Sequence, residues 1–81
     1  MFANKSEDGL NNLCGRNIAA ARKKLNIPQR ELAEKMQLYG LDMDKNAIQR
    51  IESGKRFVTD IELAQFSKFF RMSCDELVTE S

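Results

Sequence analysis

The stretch IPQRELAEKMQLYGLDMDKNAIQRIESGKR, residues 27–56, decides how this chain folds. Its apolar residues recur three or four apart: Leu32, Met36 and Tyr39, then Ile48 and Ile51. That is the period of a helix with one buried face. Pro28 marks the first start, because first-turn amides have no intrahelical partner and a missing N–H is tolerated there. Ile27 and Leu32 flank it as a hydrophobic staple, and Gly40 supplies the stop, so the period predicts a helix over 29–39. Asp44 is a capping side chain flanked by Met43 and Ile48, and Gly54 ends a second helix predicted over 45–53.

The same start device appears downstream. Thr59 with Glu62 is a capping box inside the staple Val58/Leu63, and Ser73 with Glu76 is another inside Met72/Leu77, predicting helices over 60–71 and 74–78. Leu63, Phe66 and Phe70 are expected inward on the first of these, and Leu77 fastens the second. Upstream, the alanine-rich run 13–25 reads as a further helix with Ile18, Ala21 and Leu25 on one face and Asn26 as a left-handed cap,. No run alternates apolar and polar residues as a strand does. The expectation is an all-α chain of five helices: one domain over 13–81, preceded by a polar, mobile arm over 1–12.

Composition narrows the chemistry. Eighty-one residues leave no room for a second core, and the 42% apolar content contains no run long enough for a membrane span,. There is no His, so Ser–His and Cys–His dyads and His-ligated metals are excluded, and the four glycines stand apart rather than forming a phosphate loop,. Asp42/Asp44 and Asp75/Glu76 lie where helices begin, and acids there cap and complement the helix dipole. Cys14 and Cys74 are too few for a disulfide framework and read as reduced thiols of a cytoplasmic protein, in keeping with the polar residues 1–10,. No enzymatic activity, cofactor or metal is expected.

The order Arg22, then QRELAEKM at 29–36, then IQRIESGKR at 48–56, then Ser73, Glu76 and Leu77 resembles the Cro and phage-repressor helix-turn-helix family, the XRE type. The resemblance runs from about residue 13 to 78. It implies a compact lambda-repressor-like domain whose second and third helices form the helix-turn-helix, with Ala33 buried where they cross. The third helix, about 45–53, is then the recognition helix, its N-terminal part in the major groove. Carried over by position, Lys45, Asn46, Gln49 and Arg50 contact base edges. Gln29, Arg22, Lys55 and Arg56 contact phosphates. Lys and Arg donate to guanine O6 and N7, and Asn and Gln pair both ways with adenine. Glu52 is structural, pairing with Arg22, and Gly54 is the structural stop.

One departure stands out: Ala33 to Glu52 is about five residues longer than the usual family spacing. Gly40 followed by apolar Leu41 suggests that the second helix is longer and that the loop after it is extended too,. The resemblance implies a transcriptional regulator, a repressor of bacterial or mobile-element origin, binding double-stranded DNA as a homodimer. The contrasting class is a protein-interaction module of the same fold, including an antitoxin-like partner. Phe57 and Phe69 are the aromatics available for a partner patch, unless they enlarge the core. The net charge of +1 conceals a division: residues 16–56 hold ten bases against five acids, while the flanks are net acidic.

Overall fold

A computed structural model describes residues 9–79. Among them the chain forms five helices and no strand: α1 (Gly15–Lys24), α2 (Gln29–Leu38), α3 (Lys45–Glu52), α4 (Asp60–Phe70) and α5 (Cys74–Val78). Every helix end lies within two residues of its expected place.

The starts are made by the side chains read from sequence. Asp44 accepts the Ala47 amide at 2.8 Å. Thr59 with Glu62 and Ser73 with Glu76 form complete capping boxes, and Pro28 begins α2 without a side-chain cap. The first four helices share one stop. A left-handed residue (Asn26, Gly40, Gly54 or Arg71) follows each. The next amide then bonds back to the carbonyl five residues earlier: Ile27 to Arg22, Leu41 to Met36, Lys55 to Arg50, Met72 to Ser67. Gly40, with φ +90°, and the partly buried Leu41 make the expected Schellman stop, so the lengthened connection is closed by its own contacts,. Gln37 ties it further, donating to the Met43 carbonyl at 2.7 Å.

The core consists of Cys14, Ile18, Leu32, Ala33, Met36, Met43, Ile48, Ile51, Phe66 and Leu77. Leu63, Phe69 and Phe70 are partly buried against it. Tyr39 and Phe69 meet edge-on at 6.2 Å between ring centroids, and Phe69 meets Phe70 at 5.0 Å, so Phe69 enlarges the core. Leu25 departs from expectation: α1 ends at Lys24, which carries Leu25 off the inward face and leaves it 51% exposed. Phe57 is likewise exposed. α3 crosses α2 and also touches α1, while α5 packs on α1 and α4. No helix among the described residues is long and apolar enough to cross a membrane.

Most of the expected arm, residues 1–8, lies outside the described residues. Its last three residues depart from that expectation, because 10–12 are held to the body. The Asn11 amide donates to the Gly54 carbonyl at 2.8 Å, and the Asn11 and Asn12 side chains donate to further carbonyls around it.

Candidate nucleic-acid interface

Helical periodicity divides α3 cleanly. Ile48 and Ile51 are fully buried, which turns Lys45, Asn46, Gln49 and Arg50 outward, and all four are exposed. Positions 45 and 49, and 46 and 50, are each four apart, so the four side chains form one continuous stripe. Ala33, 2% exposed, lies on the inner side of α2, which packs closely against α3.

Glu52 ends the helix and joins three elements. Arg22 of α1 donates Nε to Oε2 at 2.7 Å and its terminal nitrogen Nη2 to Oε1 at 3.0 Å, a bidentate fork,. Gln29 of α2 donates Nε2 to the same Oε1 at 2.9 Å. The side chains of Arg22 and Glu52 are only 12% and 8% exposed. The hydrogen bond to Glu52 raises the already high pKa of Arg22. Arg22 also donates Nη1 to the Ile27 carbonyl at 2.9 Å, so all three of its nitrogens are engaged inside the protein. Sequence reasoning anticipated the pair but not Gln29, whose amide is drawn to the same carboxylate.

Beside this network a recess opens between the starts of α2 and α3, lined by Arg22, Pro28, Gln29, Arg30 and Lys45. Nothing in the sequence singles out Arg30. Its exposed contact with Glu34 at 3.1 Å is an i,i+4 surface pair of small energetic weight,.

Beyond α3 the two expected backbone contacts diverge. Lys55 is exposed. Arg56 is turned inward as a second fork, donating Nη1 to Oε1 and Nη2 to Oε2 of Glu62, both at 3.0 Å. Burial pushes the Glu62 carboxyl up, but the Arg56 guanidinium and the Thr59 amide outweigh it and hold the pKa below its ordinary value. Glu62 raises the pKa of Arg56 in turn. The sequence showed Glu62 as part of a capping box; no periodicity relates it to an arginine across a loop. Gly54, buried with φ +79°, has Leu10 against the spot a Cβ would fill. Asn11 and Asn12 fall in the segment that reads as an arm; their only signal in the sequence is two adjacent amides just before a helix.

Of the two thiols, Cys14 is buried, which pushes its pKa up to about 11, and Cys74 is exposed. The described residues contain no cluster of metal-ligating side chains. Among known protein families, the helix-turn-helix model matches residues 18–77 of this chain. No curated protein and no solved structure matches it.

Proposed function

Because this chain belongs to the helix-turn-helix family of the Cro and phage-repressor (XRE) type, a family of DNA-binding regulators, we propose that it is a sequence-specific transcriptional repressor. The observation that carries this reading is the exposed stripe Lys45, Asn46, Gln49 and Arg50 on a helix whose opposite face is fully buried. A rigid helix with four hydrogen-bonding side chains on one face suits the major groove, where each base pair presents its own donor and acceptor pattern. Lys45 and Arg50 would take guanine edges, and Asn46 and Gln49 adenine edges. Gln29, Arg30 and Lys55 flank the stripe and would grip phosphates, setting orientation without reading sequence. Arg22 and Arg56, engaged with Glu52 and Glu62, serve this reading as braces rather than phosphate ligands.

The eight residues of α3 span roughly 12 Å,, the rise of three to four base pairs at about 3.4 Å each. Reading so few pairs cannot select one site among many, so two copies on a pseudo-palindromic operator are proposed, in the cytoplasm. The test is selection of bound sequences from a random DNA pool, followed by a salt titration. A defined half-site, with affinity falling steeply as salt rises, is expected. Absence of binding even at low salt would sink the reading in favour of a protein-interaction module.

A further inference from the structure

The residues just before the family-matched stretch 18–77 do something that the helix-turn-helix itself does not. The end of α3 leaves carbonyls that no helical amide reaches. Asn12 donates its side-chain amide to the Ile51 carbonyl in the last turn of α3 at 3.1 Å and to the Arg56 carbonyl in the loop beyond it at 2.7 Å, while its oxygen accepts the Gly15 amide at 2.8 Å and starts α1. Asn11 donates its backbone amide to Gly54 at 2.8 Å and its side chain to Lys55 at 3.0 Å. Leu10 covers the Cα of Gly54, and the start of α1 comes so close to the Ile51 carbonyl that Gly15 has no room for a Cβ. Three consecutive residues, 10–12, thus hold the backbone at four residues: Ile51 in the last turn of α3, the stop Gly54, and Lys55 and Arg56 after it.

We infer that residues 10–12 are a positioning strap, with Asn11 and Asn12 holding the Lys55 turn in fixed register with the recognition helix. The inference rests on the DNA-binding reading of α3 and deepens it. Lys55 sits on a short turn whose own bonds to α3 come from one side: the Gly54 amide reaches the Ile51 carbonyl, and the Lys55 and Arg56 amides both reach the Arg50 carbonyl. A lysine on such a turn reaches a phosphate at one distance from the groove only if the turn is fixed. The strap supplies that from the opposite side, accepting nothing from Lys55 itself and leaving its side chain exposed. Asn11 and Asn12 therefore act through Lys55 and not on DNA.

Asn11→Ala is a clean probe. Among the described residues the Asn11 side-chain oxygen has no hydrogen-bond partner, and its amide bond to the Lys55 carbonyl lies at the surface, where water replaces it, so the substitution removes that one tie and the fold is retained,. Asn12→Ser is the second probe: a hydroxyl still accepts the Gly15 amide but is too short for the carbonyls of Ile51 and Arg56. Wild type, Asn11→Ala, Asn12→Ser, Lys55→Ala and the double variant Asn11→Ala/Lys55→Ala are titrated against a labelled random-sequence duplex over a salt series. Amide exchange of Lys55 and Arg56 is measured on the free proteins.

Asn11→Ala and Lys55→Ala should each weaken binding roughly threefold to tenfold and lower the salt slope by about one. The double variant should lose little more than either, because both act on one contact. Exchange at Lys55 and Arg56 should quicken in both asparagine variants. Additive losses, or an Asn11→Ala protein that binds and exchanges like the wild type, overturn the strap alone. A wild type that does not bind the duplex overturns the DNA-binding reading and the strap with it.

Discussion

Glu52 is the residue on which three helices converge, since both of its oxygens are occupied by Arg22 and Gln29. The carboxylate is nearly buried, so its loss leaves the Arg22 charge desolvated and without its partner. Glu52→Ala should therefore cost about 3 kcal/mol in denaturant unfolding. Arg22→Ala should cost a similar amount, and the two losses should not add. Glu62 carries a different signature, a dependence on pH. Its pKa is held below the ordinary 4.5, so its contribution is complete above that value and is lost as pH falls through the lower folded-state value. Urea titrations from neutrality to roughly pH 3 should show the wild type losing stability below about pH 4.5. Glu62→Gln should be less stable at neutral pH and decline less on acidification. Both carboxylates stood out in the sequence, Glu62 by its spacing from Thr59 and Glu52 through the family resemblance. Their full partner sets did not, because the contacts of Arg56 with Glu62 and Gln29 with Glu52 cross between elements and leave no periodic trace.

The helices were legible because their signals are local. A cap, a staple and a left-handed stop all act within about six residues, and Asn26, Gly40 and Gly54 announce themselves by residue type. Arg71 does not, because arginine has no preference for φ +55°, the value it adopts. What places it there is tertiary. Met72 must pack against the core and lead into the capping box of α5, so the chain turns at Arg71 whatever residue stands there. Arg71→Gly should relieve a left-handed penalty and raise stability by about 1 kcal/mol, read as a shift in the denaturant midpoint at constant slope. Gly40→Ala should do the reverse by a similar amount. The lengthened connection after α2 was visible as an excess of residues between Ala33 and Glu52. How those residues are held was less so, since the Gln37 bond to the Met43 carbonyl depends on the path of the loop.

Over the whole molecule, the near-zero net charge averages a basic segment, residues 16–56, with acidic flanks. Not every cation there is available to a polyanion, because Arg22 and Arg56 are held by internal carboxylates. The proposed interface is thus smaller than a count of bases suggests, and the salt slope of DNA binding should reflect Arg30, Lys45, Arg50 and Lys55, the exposed cations among the proposed contacts,. The stripe could be read from the sequence because a helix with Ile48 and Ile51 inward has one outward face. The strap could not, since Asn12 and Arg56 are 44 positions apart. That separation bears on time as well as on structure. Helix starts and stops close over a few residues, whereas joining residue 12 to residues 51 and 56 must first confine a long loop. The helices should therefore form before the transition state and the strap after it. In stopped-flow experiments Asn12→Ser should leave the refolding rate nearly unchanged and speed unfolding roughly tenfold. On this view α3 is built early in folding and fastened last, and the bonds that fasten it set how long the native state survives.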